Sequence, residues 1–180
     1  MAGGAATLRY RGLHLPRRPG LLDAATAQAL AEGRWQPGYT AAALALARPR
    51  DRVAVVGTGC GHLVGVLAGK LGLPRLHVVE DDPRRRAQVI AIARANGLPR
   101  LAFAEAGALV ALAPALLFAD LATAALPPLA GLDGLRAAAF ELGPRPPPGR
   151  CAALSAAAEA AGLRPDRRLS RGSAQVFLRH

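Results

Sequence analysis

Three glycines at alternate positions, Gly57, Gly59 and Gly61, follow directly on the apolar run Val53-Ala54-Val55-Val56. An acid, Glu80, stands about 20 residues further on. A turn without Cβ atoms lets backbone approach a ligand closely, and a helix opening after it offers free N–H groups and positive dipole to a carboxylate or phosphate. Glu80, at the end of a second apolar run, can accept hydrogen bonds from both hydroxyls of a ribose. A dinucleotide site wants glycine at the sixth position, where this chain has His62. The pattern is G-x-G-x-G, which points to a nucleotide-type ligand held by Gly57, Thr58, Gly59, Gly61 and Glu80. Asp120 closes a later apolar run and is the candidate proton acceptor; the competing reading makes it the N-cap of a helix beginning near Leu121.

The remaining reactive side chains read as structural. His62 is expected to be exposed in the first helical turn, and His77 to be a satisfied strand residue. Cys60 lies inside the turn but has no base following it, so it reads as a small packing residue. Glu141 sits within an apolar strand and needs a partner if buried. No His, Cys and Asp grouping has metal spacing, so no metal is expected.

The elements that must hold these residues follow from punctuation and period. Tyr10 to Leu15 alternates apolar with polar, giving a short strand or extended arm broken by Pro16 to Gly20. Asp23 caps a helix through about Glu32, residues 33–38 form a loop, and Tyr39 to Ala47 is a second helix ended by Pro49. Val53 to Val56 is a strand buried on both faces, and Leu63, Val66, Leu67 and Leu71 mark the helix after the turn. Leu76 to Val79 is the next strand. Asp82 then caps a helix with Pro83 at its first position, which stops at Asn96-Gly97. Further strands are read at Leu101 to Phe103, Leu116 to Ala119, Leu135 to Leu142 and Ala174 to Leu178, with a helix from about Gly149 to Ala161 and a proline-rich loop at Pro144 to Pro148. Repeated strand–helix steps predict an α/β fold, a Rossmann-like three-layer sandwich with a mostly parallel central sheet. Residues 1–50 form an N-terminal arm and helices that pack on the core, and residues 51–180 the ligand-binding domain, the two making one structural unit.

Composition narrows the class. The chain has 180 residues, enough to bury a core without disulfides or metal. Aromatics are only 4% of it, so small and branched aliphatic side chains must fill that core. Lys and Arg total 23 against 12 acids, for a net charge of +11. The charge leaves a nucleic-acid partner open. Against it, the arginines are scattered, clustering only at Arg17-Arg18, Arg84-Arg86 and Arg167-Arg168 without interleaved aromatics, and they read as a solvated face. Two cysteines imply a reducing cytoplasm, and no apolar run is long enough for a signal peptide or membrane span.

From about Gly12 to Arg179 the chain resembles the FkbM-type S-adenosylmethionine-dependent methyltransferases. Gly33-Arg34-Trp35-Gln36 resembles the family's G-x-Y-E loop, Asp51 to Gly61 its first strand and glycine turn, and Val79 to Pro83 its acidic segment. Asn96-Gly97-Leu98 resembles its helix stop; Leu135 to Leu142, Ala161-Gly162-Leu163 and Leu169 to Gly172 are similar to its closing strand, helix and turn. The resemblance implies the class I methyltransferase type of fold, S-adenosyl-L-methionine as cofactor, and a small molecule or sugar oxygen as methyl acceptor. It also implies that Gln36, Asp81 and Glu105 join the cofactor site, and that Asp120 serves as catalytic base. The chain differs where Asp120-Leu121-Ala122-Thr123 replaces the family's D-x-E-G, where Gln36 replaces Glu, and in a short stretch between Phe103 and Leu116. These differences motivate a second reading, a non-catalytic relative that acts as a cofactor-binding or interaction module.

Overall fold

A computed structural model describes residues 7–17 and 20–179; Arg18, His180 and the leader reading of residues 1–6 lie outside the described residues. Strands β1 (Thr7–Tyr10) and β2 (Leu13–Pro16) form an antiparallel hairpin. A single short strand or extended arm was expected there. Arg11 and Gly12 both have positive φ, 49° and 80°, which makes the two-residue turn that fits strand twist.

Helix α1 (Ala24–Ala31) starts where expected, with Asp23 accepting from the Thr26 N–H. Helix α2 (Pro37–Leu46) begins two residues earlier than read, because Pro37 is already set for a helix's first position. The central elements are β3 (Val53–Val56), α3 (His62–Gly65), β4 (Leu76–Val79), α4 (Pro83–Ala95), β5 (Ala102–Ala104), α5 (Leu109–Leu112), β6 (Leu116–Asp120), β7 (Ala137–Glu141), α6 (Arg150–Ala160), β8 (Arg164–Pro165) and β9 (Ala174–Leu178). Helix α3 runs into a π-helical turn at Val66–Lys70, where Gly65 and Gly69 leave room for Leu13 and Leu98 to press close. The short α5 and the two-residue β8 carry too little pattern to be seen in sequence.

Seven strands make one sheet in the order β5-β4-β3-β6-β7-β9-β8, parallel from β5 to β7 and antiparallel around β9. Side chains alternate between its faces. Val53, Val55, Leu116, Phe118, Ala137 and Ala139 face α2 and α3. Ala54, Leu117, Ala119, Ala138 and Phe140 face α5, α6 and the loop before β7. This is the three-layer α/β sandwich expected. A third cluster, with Tyr10, Leu15, Leu30, Cys60 and Ile92, fixes the hairpin and α1 against α4 and the glycine turn. The Asn96 side chain accepts from His14 N and donates to His14 O, joining hairpin and helix end. At the sheet's amino end Arg136 pairs with Asp51, whose carboxyl is held below its usual range by Arg136 and the Arg48 N–H despite the opposing effect of burial. Among the described residues, no helix is long and apolar enough to cross a membrane.

Candidate functional site

Chain order reverses beside β3: β4 and β5 lie on one side and β6 on the other. Such a reversal opens a crevice beyond the carboxyl ends of the strands. Gly57 and Gly59 turn the chain there with φ of 67° and 52°. A Cβ on Gly57 would stand 2.6 Å from Ala124 Cβ, and one on Gly59 2.7 Å from Asp120 Oδ2. Both positions therefore need glycine for space as well as for φ. Gly61 has another task, since a Cβ there would meet Ile92 Cδ1 at 2.8 Å. It lets α4 pack close and does not line the crevice.

Glu80 follows β4 and is buried. Its Oε2 accepts from the Thr58 N–H at 2.8 Å and the Thr58 hydroxyl at 2.7 Å; its Oε1 accepts from the Asp82 N–H at 3.0 Å and Arg85 Nε at 3.1 Å. Arg85 also donates to the Thr123 carbonyl at 3.3 Å, so it links α4 to the loop after β6. These groups floor a cavity of about 410 Å³ whose walls include Gly57, Glu80, Asp81, Arg85, Leu109 and Thr123. The arginines at 84–86 were read as a solvated face, yet Arg85 turns inward to the buried carboxylate. Glu105 is exposed at the start of a short 3₁₀ turn; its neighbours Ala106 and Leu109 reach the cavity instead.

Asp120 ends β6 in register with Glu141 at the end of β7, and both are buried. No helix follows Asp120, which corrects the N-cap alternative: residues 121–124 form a turn, and Asp120 Oδ1 accepts from the Ala122 N–H at 3.0 Å. Its Oδ2 accepts from Gln36 Nε2 at 3.0 Å. Gln36 lies in the left-handed region, φ 42°, which throws its side chain from the loop before α2 across to β6. Burial pushes the Asp120 carboxyl up and Glu80 adds to this, outweighing Gln36, the Ala122 N–H and Arg85, which act the other way. Glu141 is raised too, first by burial and then by Asp120, against Ser173 and the Gly143 N–H.

His62 is buried, not exposed as expected. Its ring lies 3.3 Å from the Thr40 hydroxyl and 3.5 Å from Cys60 Sγ, edge-on to Tyr10, and burial with nearby Arg11 pushes its pKa down to about 3. The Cys60 thiol is pushed up to about 12, chiefly by burial, which suits the packing role read for it. Among the described residues, no group of three or more His, Cys, Asp or Glu could hold a metal.

No protein-family model matches the chain, and no curated protein does. Solved structures do. The ribosomal protein L11 methylase from Lactobacillus delbrueckii subsp. bulgaricus superposes with a TM-score of 0.62 at 19% identity, over 92% of this chain and 86% of its own. Precorrin-6y C5,15-methyltransferase from Geobacter metallireducens GS-15 gives 0.58 at 12% identity, over 79% and 86%. This chain has the class I methyltransferase fold. A mutant of MtNAS in complex with S-adenosylmethionine shares it with a TM-score of 0.51 at 15% identity, over 88% of this chain and 67% of that one. Within the class I methyltransferase fold, the ends of β3 and β4 bring Gly57, Glu80 and Asp81 to one cavity, with Thr58 behind it on Glu80, while Gly59, Asp120 and Gln36 meet at the end of β6. Arg85 is the residue that sequence reasoning passed over. The only local signal for Arg85 is its place on the first turn of α4, three residues after Asp82, with which it pairs at 3.7 Å.

Proposed function

We propose that the chain binds S-adenosylmethionine in the 410 Å³ cavity and transfers its methyl group to an oxygen of a small molecule or sugar. The observation that carries this is Glu80, a carboxylate with 3% exposure at the carboxyl end of β4, on the floor of a cavity reached by a glycine turn. Burying such a charge is costly unless donors surround it. Two of its four donors are backbone N–H groups and two, the Thr58 hydroxyl and Arg85, belong to side chains that can swing aside. A ribose diol offers two hydroxyl donors to replace them. Asp81 and Leu109 flank the space left for a base.

The cofactor supplies an electrophilic methyl on a sulfonium, open to in-line displacement. The chain's own residues align the partners and handle the proton. Asp120, one strand beyond Gly57, accepts the proton of the acceptor hydroxyl; its raised proton affinity brings it nearer to neutral pH, where a base works best. Gln36 holds its Oδ2 and sets its direction. The FkbM resemblance at residues 33–36, 51–61 and 79–83 supports an oxygen acceptor. In this reading the domain from residue 51 onward carries the site, the N-terminal arm and helices before it pack on that core, and the free thiols Cys60 and Cys151 suit the cytoplasm.

A second reading, a cofactor-binding module without turnover, is favoured by Asp120 itself, both of whose oxygens are already engaged. Calorimetric titration with S-adenosylmethionine and its demethylated product tests the common part. Glu80→Ala is expected to weaken binding by about 1–3 kcal/mol as the ribose loses its acceptor. Equal affinity in wild type and variant removes Glu80 from the site, and no binding at all removes the proposal. Binding without transfer of labelled methyl to any hydroxyl compound favours the module.

A further inference from the structure

Strand β5 ends the seven-stranded sheet on one side: it pairs with β4, and its outer edge pairs with no strand among the described residues. Beside that edge lies a cavity of about 810 Å³, about twice the volume of the one over Glu80. One wall is α4 and its end, which present Ile90, Ala93, Arg94 and Gly97, a stripe at three- and four-residue spacing. The other is the chain leading into β5, with Leu98, Leu101 and Phe103 half-buried along it. The floor is thus apolar and the rim basic. Arg94 and Arg100 stand exposed at one end, and Arg86 lies over the Phe103 ring at the other, 5.1 Å from its centroid. None of these three arginines has an ion pair among the described residues, whereas Arg85 and Arg136 are spent on Glu80 and Asp51. No acid lines the groove.

Charges that only guard a sheet edge stand on the edge strand itself. Strand β5 reads Ala102-Phe103-Ala104 and carries none, so its backbone is open to an added strand. The spacing of the arginines says what fits. Arg86 and Arg94 lie about 12 Å apart along the axis of α4, and four residues of extended chain span about 13 Å. Side chains two apart share one face of a strand. Acids at the first and fifth positions of a peptide therefore meet Arg86 and Arg94, while an apolar side chain at the third enters the floor between them. A single-stranded nucleic acid has the right charge but needs a bare aromatic face for its bases, and Phe103 is covered by Arg86 on one side and the core on the other. A second copy of this chain carries the same net charge of +11 and would set arginine against arginine.

We infer that the groove between α4 and the free edge of β5 binds an acidic peptide in extended form, of pattern acid-x-apolar-x-acid, which adds a strand to the sheet beside β5. The inference is independent of the methyl-transfer reading, because no residue that lines this groove lines the Glu80 cavity. The probe is a fluorescein-labelled peptide of seven residues with glutamate at positions two and six, leucine at four and threonine elsewhere, titrated by anisotropy into the full chain. It is expected to bind with a Kd of about 100 µM or lower. Moving one glutamate from position two to three puts the acids on opposite faces and is expected to weaken binding at least about tenfold, as is the double variant Arg94→Glu, Arg100→Glu. Backbone N-methylation separates an added strand from charge attraction alone. Successive N–H groups of a strand point to opposite edges, so methylation at position three or at position four is expected to abolish binding in one case and spare it in the other. No binding at about 1 mM, equal effects of the two methylations, or unchanged affinity for the moved-glutamate peptide or in the double variant overturns the inference. So does a ten-residue uridine oligonucleotide that binds more tightly than the peptide and displaces it, which assigns the groove to nucleic acid.

Discussion

Replacing Gly59 by Ala makes two demands on the site at once. The residue holds φ at 52°, and an L side chain in that region costs about 1–2 kcal/mol. The added Cβ would also lie 2.7 Å from Asp120 Oδ2, well inside contact distance, so the carboxylate must rotate away from Gln36 or from the Ala122 N–H. A hydrogen bond to an ionised group contributes about 1.5–3 kcal/mol. The sum is about 2.5–5 kcal/mol, which for a chain of this size lowers the melting temperature by roughly 5–20 °C. Thermal and urea unfolding of Gly59→Ala measure it directly. Repeating the substitution in an Asp120→Ala background isolates the collision: there the expected cost falls to the φ part alone, about 1–2 kcal/mol. The same cost in both backgrounds, or a neutral Gly59→Ala, refutes the claim that the glycine exists to seat Asp120.

Asp120→Asn is expected to leave S-adenosylmethionine affinity unchanged in calorimetry while slowing labelled methyl transfer by about 10²–10⁴, the contribution of a positioned base; parallel losses in both would make Asp120 a binding residue. His62 concerns acid stability. Its ordinary pKa of 6.5 is pushed down to about 3, so the unfolded chain takes up the proton first as pH falls, and stability that is full above pH 6.5 drains away toward pH 3. Between pH 6.5 and 5 the loss is about 2 kcal/mol. Urea unfolding of wild type and His62→Asn at both values should show the variant losing less by that amount, and parallel profiles would contradict a buried neutral histidine.

What the sequence made legible was local. Asp82 and Pro83 open α4, Asn96-Gly97 closes it, and the glycine turn joins β3 to α3, because cap, stop and turn each depend on residues a few positions apart. Glu80 could be read because its place at a strand's end is set by the run before it. The hairpin of β1 and β2 was missed because Arg11-Gly12 is not one of the common dipeptides for that turn. The finer site was out of reach for another reason. Gln36 meets Asp120 across 84 positions, and Glu141 comes level with Asp120 only through the register of β6 on β7. Neither relation leaves a trace in spacing. His62 looked exposed because helix periodicity says nothing about a hairpin that folds back over the turn.

Strand β9 lies between β7 and β8, and its Ala174 stands opposite Glu141. On the ribosome, β7 is therefore complete some thirty residues before the strand that covers it exists. At about 5–20 residues per second that interval lasts about 2–7 seconds. For that time the run Ala137-Ala138-Ala139-Phe140 offers a bare edge to any other nascent chain. Glu141, ionised and wet at that stage, terminates the edge with a charge that another strand would have to bury, which opposes pairing between unfinished copies. A carboxylate at the end of β7 is therefore expected to keep chains that stop short of β9 from pairing edge to edge.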